Sequence, residues 1–151
     1  MKDLIEEFYI AFQAKDAERM IACYHDEIVF KDPAFGTLKG ERAKNMWRML
    51  LKNDTGLKLE FSNVEAGEQT GKAHWEANYI FSQTGRTVLN KIDATFEFKD
   101  GKIVKHTDEF NLHTWAKQAL GFKGALFGGM PFFKKQLNSK TNHLLTKFEG
   151  Q

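Results

Sequence analysis

A chain of 151 residues is about one domain by length, and its 42% hydrophobic, 28% charged composition with 14 Phe argues for a folded unit with an aromatic interior rather than disorder. Twenty-two Lys and Arg interleaved with 20 Asp and Glu leave a net charge of +2, which excludes the basic stripe of a nucleic-acid binder, and the single Cys23 excludes a disulfide framework or a multi-cysteine zinc finger. The longest weakly charged stretch, 120–133, is too short and glycine-rich to span a bilayer, and the opening MKDLIEEF carries acid where a signal peptide carries an apolar run, so a cytoplasmic location and no stable membrane association are expected.

The first third of the chain has helical periodicity. Asp3 is placed to cap a helix whose Leu4, Ile5, Phe8, Ala11 and Phe12 share a face, and Asp16 to cap a second with Met20, Ile21 and Tyr24 inward. A short strand over 27–32 leads into the segment DPAFGTLKG, whose Pro33, Gly36 and Gly40 mark a loop. A third helix over 41–52 carries Ala43, Met46, Trp47 and Leu50. From Gly56 the period changes to two, giving strands over 57–68, 72–83, 86–99 and 102–112. Gln69-Thr70-Gly71, Thr84-Gly85 and Asp100-Gly101 between them have hairpin chemistry, so the strands are expected to form an antiparallel meander. A short helix holding Trp115, Ala116 and Ala119 ends at Gly121. GFKGALFGGMP beyond it reads as irregular, and 132–148 as a helix with Phe133, Leu137, Leu144, Leu145 and Phe148 near one stripe. Helices followed by an antiparallel sheet imply an α+β fold, a curved, mainly antiparallel sheet closed by N-terminal helices into a cone, with a C-terminal helical extension.

Strand parity then picks out the unusual residues. Ile28, Phe30 and Asp32 share a face, as do Val88, Asn90, Ile92, Ala94, Phe96 and Phe98, then Val104, His106, Asp108, Phe110 and Leu112, and Trp75, Ala77, Tyr79 and Phe81. Asp32, Asn90, His106 and Asp108 are polar groups on otherwise apolar faces. Such groups need partners or water, and burial tunes carboxylates and imidazoles toward acid–base work, so these four are the candidate catalytic residues. The competing reading is a satisfied structural network of His106, Asp108 and Asn90, with Asp32 merely starting an Asx turn before Pro33. Phe8, Phe12, Trp47, Trp75, Tyr79, Phe96, Phe110 and Trp115 are the candidate substrate-binding walls. The five histidines have no metal-ligand spacing and GALFGGMP lacks the features of a phosphate loop, so no metal and no cofactor are expected. Cys23, among Ile21, Ala22 and Tyr24, reads as a packed thiol.

The order helix, helix, strand with FKDP, helix and four-strand meander resembles the nuclear-transport-factor-two-like superfamily, which includes ketosteroid isomerases and SnoaL-like polyketide cyclases. AFQAKDAERMIACYHDEIVFKDPAFGTLKG, HWEANYIFSQTGR, IDATFEFKDGKIVKHTDEF and WAKQALG carry the resemblance over about residues 1 to 121, leaving 122–151 as a Phe-rich extension of the same domain. The resemblance implies a cone with an open apolar pocket and a homodimer formed through the outer sheet face. It implies for Asp32-Pro33 the place of the isomerases' general base, while the places of their tyrosine and aspartate oxyanion donors hold Phe8 and Ala94, with Tyr9 one residue off and facing elsewhere. His106-Thr107-Asp108 matches the His-x-Asp run of the cyclases, whose second histidine is again replaced by Ala94. The function expected is therefore acid–base chemistry, of isomerase, cyclase or hydratase type, on a hydrophobic carbonyl compound. The alternative is a non-catalytic hydrophobic-ligand-binding or dimerisation module. The extension is expected to be a lid or wrap. Its rival reading is an interfacial amphipathic helix with Lys134, Lys135, Lys140 and Lys147 toward anionic lipid.

Overall fold

The computed structural model describes residues 1–54 and 56–151. Helices α1 (Lys2–Gln13) and α2 (Ala17–Ile21) precede strand β1 (Tyr24–Asp32), followed by β2 (Gly36–Lys39), α3 (Glu41–Lys52), β3 (Lys58–Ala66), β4 (Thr70–Phe81), β5 (Arg86–Lys99), β6 (Lys102–Glu109), α4 (Leu112–Leu120), α5 (Phe122–Phe127) and α6 (Pro131–Glu149). Six strands form one sheet in the order β2-β1-β6-β5-β4-β3. Helices pack on this mainly antiparallel sheet, and the fold is the α+β cystatin-like cone.

Several local expectations need correction. The meander from β3 to β6 is antiparallel, but β1 closes onto β6 in parallel, a pairing that no hairpin signal announces. Tyr24 belongs to β1, not to the second helix, and remains inward. The segment expected as a loop contains β2, reached through Gly36 at φ +74°, a left-handed value that favours glycine. Asp16 caps α2 by accepting the Arg19 N–H at 3.1 Å, whereas α1 starts at Lys2 and Asp3 makes no cap. Leu50 is exposed on α3. In β6 the pairing shifts from Glu97↔Lys105 to Phe98↔Ile103, so Ile103 is buried and Val104 is the residue displaced by a bulge. β6 stops at Glu109, leaving Phe110 and Leu112 beyond the strand, and GFKGALF forms α5 rather than irregular chain.

The main core lies between α1, α3 and the inner sheet face, with Phe8, Phe12, Phe30, Trp47, Trp75 and Phe96 in it. A smaller cluster joins Val88 of β5 to Trp115, Ala116 and Ala119 of α4, and Tyr79 and Phe110 pack against both clusters. Within the extension α6 packs back on the domain, but the apolar residues whose burial a lid or wrap would account for, Phe122, Leu126, Phe127, Met130 and Phe132, stay exposed, and of that group only Phe133 is partly buried. Leu145 of α6 is fully buried in the main core, and Phe133 and Leu137 pack on the second cluster. Polar residues of α6 then hold the β1–β2 turn by its carbonyls: Asn138 Nδ2 donates to Pro33 O at 2.8 Å and Ala34 O at 3.0 Å, Thr141 Oγ1 to Ala34 O at 2.8 Å, and Asn142 Nδ2 to Phe35 O at 2.8 Å. Arg42 of α3 bonds Glu149 and the Asn142 side chain, fixing the far end.

Candidate active site

The parallel register Phe30↔His106 and Lys31↔Thr107, carried one residue further, sets Asp32 beside Asp108 on the inner face, while Ala94 of β5 stands opposite Asp108. Two of the candidate acids therefore occupy one row of the sheet, because three neighbouring strands alternate in phase.

His106 is fully buried in an aromatic box, with ring centroids of Phe96 at 4.6 Å, Phe30 at 5.1 Å and Phe8 at 5.4 Å. Trp47 Nε1–H donates to the Tyr24 hydroxyl oxygen at 2.9 Å, which directs the tyrosine's own proton to His106 Nδ1 at 2.7 Å. That assigns the imidazole proton to Nε2, where it is donated to Asp108 Oδ1 at 2.9 Å; the same oxygen accepts Trp75 Nε1–H at 3.3 Å. The imidazole thus has both nitrogens committed within the protein, as the network reading expects for His106 and Asp108. Sequence reasoning missed Tyr24 as its hub. Burial holds the Tyr24 hydroxyl proton well above the usual tyrosine range.

Asp32 ends β1 and remains partly exposed. Its Oδ1 accepts the Phe35 N–H at 2.6 Å, so it starts the turn as the Asx reading expects. It also faces inward, as parity expects, and the two roles coexist. Burial pushes its carboxyl up to about 7; the Phe35 N–H opposes this, the Asp108 charge adds to it, and the Ala34 N–H opposes it.

Tyr79, read as a pocket wall, carries more chemistry than the sequence discloses. Its hydroxyl oxygen accepts Trp115 Nε1–H at 2.7 Å, and its own proton has no acceptor among the described residues. Burial raises its pKa, the Trp115 hydrogen bond opposes the shift, and the Asp32 charge adds to it, so the Asp32 carboxylate and the Tyr79 hydroxyl lie within electrostatic reach. Asn90 is 9% exposed and its side chain forms no hydrogen bond with a described residue; it borders a concavity of about 400 Å³ shared with Leu89, Asn111, Thr114 and Gln118. No hydrogen bond joins it to Asp32, His106 or Asp108. Tyr9, expected to face elsewhere, is fully buried, stacks on Phe61 at 5.4 Å, and has the one buried side-chain polar atom without a partner among the described residues.

Of the expected walls, Phe8, Phe12, Trp47, Trp75 and Phe96 pack in the main core, while Tyr79, Phe110 and Trp115 lie at the junction of the two clusters. The outer sheet face carries a separate groove of about 610 Å³ bordered by Glu65, Lys72, Thr95, Glu97, Lys105 and Thr107. Among the described residues no group of three His, Cys, Asp or Glu is arranged to hold a metal ion. Burial pushes the Cys23 thiol up to about 11, which leaves it unreactive at neutral pH.

Known structures share this architecture. A LEH-like epoxide hydrolase of M. tuberculosis superposes with a TM-score of 0.64 at 22% identity, covering 83% of this chain and 89% of its own. TerC, co-crystallized with polyporic acid, does so at 0.67 and 15% identity over 77% of this chain and 95% of its own. A protein of ketosteroid isomerase-like fold from Catenulispora acidiphila, in complex with trimethylamine, gives 0.67 at 9% identity over 77% and 91%. No curated protein matches the chain. Residues 5–106, which include most of α1, Asp32 and β6 as far as His106 but not Asp108, are matched by the family model described as the SnoaL-like domain, and by that match the chain belongs to the SnoaL-like family of the nuclear-transport-factor-two-like superfamily.

Proposed function

We propose that the protein is a small-molecule enzyme that uses Asp32 as a general base on a hydrophobic carbonyl or related compound, in chemistry of isomerase, cyclase or hydratase type. The observation that carries this is the placement of the inward Asp32 carboxyl beside the Asp108 carboxyl on one row of the sheet, where burial pushes it up to about 7, together with a Tyr79 hydroxyl whose proton has no acceptor among the described residues. A base works best with a pKa near the operating pH. Asp32 would take the proton from the carbon next to the carbonyl, and the Tyr79 O–H, polarised by Trp115, would donate to the oxygen as negative charge develops there. For an isomerisation the same carboxyl returns the proton to another carbon. His106 and Asp108 serve by position: their bonded pair fixes a carboxylate beside Asp32 and adds to its raised proton affinity. Asn90, which pairs with Ala77 two positions along β5 from the Val88 opposite Tyr79, would supply a second hydrogen-bond donor to the ligand. The apolar part of the ligand would meet Tyr79, Phe110 and Trp115 at the junction of the two clusters, and no cofactor is needed for the step. Residues 122–151 complete the same domain, the protein works in the cytoplasm, and two copies associate through the outer sheet face; light scattering at about 17 kDa for the species in solution would remove the dimer.

A thermal-shift screen of apolar ketones, lactones and epoxides supplies the ligand, and turnover is then measured for two variants. Asp32→Asn should lower kcat by at least ~10²-fold while leaving ligand affinity within about tenfold, and Tyr79→Phe should lower kcat by ~10-fold or more. For the parent, kcat/KM should rise with pH through an inflection near 7, because the base must be ionised. Unchanged turnover in Asp32→Asn sinks the proposal. A parent that binds a screened ligand and turns none over leaves the alternative, a hydrophobic-ligand-binding or dimerisation module, which is favoured by one feature: the hydrogen bonds of His106 are all met inside the protein.

A further inference from the structure

Residues 110–148 contain six of the chain's 22 basic residues, Lys117, Lys123, Lys134, Lys135, Lys140 and Lys147, and none of its 20 acidic ones. The near-neutral net charge conceals this asymmetry. The same segment carries the most exposed large apolar side chain in the described structure, Phe122 at 77% exposure, with Leu126, Phe127, Met130 and Phe132 between 42% and 50%.

The exposure follows from how α5 is seated. Gly124 of α5 lies so close to α4 that a Cβ there would meet the Ala116 carbonyl oxygen at 1.8 Å, and one at Gly128 would meet Ala116 Cβ at 2.6 Å. His113 Nε2 bonds Ala125 O at 2.8 Å across the same junction. At 100° per residue, a helix with its 124/128 edge against α4 turns positions 122 and 126 to the opposite side. Phe122 and Leu126 are therefore directed outward by a close-packed seam. The neighbouring turn adds Phe127 and Phe132, whose rings lie 6.1 Å apart. The inward stripe of α6 is already used on the cores, so the outward residues have no place left within the fold. Lys123, Lys134 and Lys135 are exposed beside them.

An apolar knob with a cationic collar and no carboxylate nearby in sequence complements one kind of surface, an anionic phospholipid headgroup layer over hydrocarbon. We propose that α5 and the turn into α6 form a reversible docking site for anionic membrane, with Phe122, Leu126 and Phe132 entering the interface and the lysines contacting headgroups. This revises the expectation of no stable membrane association, which followed from the lack of a stretch able to span a bilayer, and takes up the interfacial reading that was its rival. It involves no spanning segment: among the described residues no helix is long and apolar enough to cross a bilayer. The proposal is independent of the catalytic reading.

The test is co-sedimentation of the full chain with phosphatidylcholine vesicles, with and without a minor fraction of phosphatidylglycerol, alongside light scattering of the protein alone. The parent should bind the anionic vesicles at least about tenfold more tightly than the neutral ones, and lose that advantage as salt is raised. Phe122→Glu and, separately, the double change Lys134→Glu, Lys135→Glu should each weaken binding by about tenfold or more with unchanged melting temperature, since these side chains are exposed. Absence of parental binding to anionic vesicles overturns the proposal. So does binding by Phe122→Glu equal to the parent's, or a fall in mass on Phe122→Glu, which would assign the knob to a second copy of the chain.

Discussion

Tyr24, His106 and Asp108 show how a buried polar group becomes affordable in an aromatic interior. Each donor in the chain from Trp47 to Asp108 has an acceptor, and the phenol in the middle sets the imidazole tautomer. Tyr24→Phe would leave both Trp47 Nε1–H and His106 Nδ1 buried without partners, and should destabilise the protein by about 2–4 kcal/mol, measured by urea unfolding at neutral pH. A loss below about 0.5 kcal/mol would mean that the network carries no weight. His106, Asp108, Asn90 and Asp32 were legible from the sequence because polar residues break an apolar alternation. Tyr24 was not, although it shares parity with Ile28 and Phe30, because the exposed Asp26 and the bulge between Tyr24 and Val29 interrupt the alternation. Tyr79 was legible only as an aromatic wall, since nothing local marks a hydroxyl that will meet Trp115 across 36 positions of sequence.

At the level of elements, period and turn chemistry found the three N-terminal helices, the four-strand meander and α6. What they missed depends on contacts distant in sequence. The four-residue β2 is too short to show a period, and the parallel β1–β6 pairing joins segments about 80 residues apart. In α5, glycines that read as punctuation are instead the packing seam against α4. The element with the most bearing on the site is α6, which grips the turn that Asp32 starts. Asn138→Ala removes two hydrogen bonds to that turn and should cost about 1–2 kcal/mol of stability. It should also speed hydrogen exchange of the Phe35 amide, which is bonded to Asp32 Oδ1, while the Ile92 amide in the middle of β5 is unaffected. Equal protection of Phe35 in parent and variant would show that α6 does not hold the turn.

Across the whole molecule, the basic, acid-free segment 110–148 builds both the α6 strap and the exposed knob, while the inner face of the cone holds two neighbouring carboxylates in an aromatic setting. Fold class was legible because the helical periodicity of the first third gives way to four consecutive strands joined by hairpin turns, even though β1 and β2 are set among the helices. The charge asymmetry was written in the sequence as well, but the total of +2 averaged it away. The account of function depends on Asp32 being neutral at acid pH and ionised at slightly alkaline pH within the folded protein. Carbon-13 NMR titration of the aspartate side-chain carboxyls, with Asp32 assigned by its loss in Asp32→Asn, measures this directly. The account expects an inflection for Asp32 near 7, and an inflection near the ordinary 3.8 would contradict it.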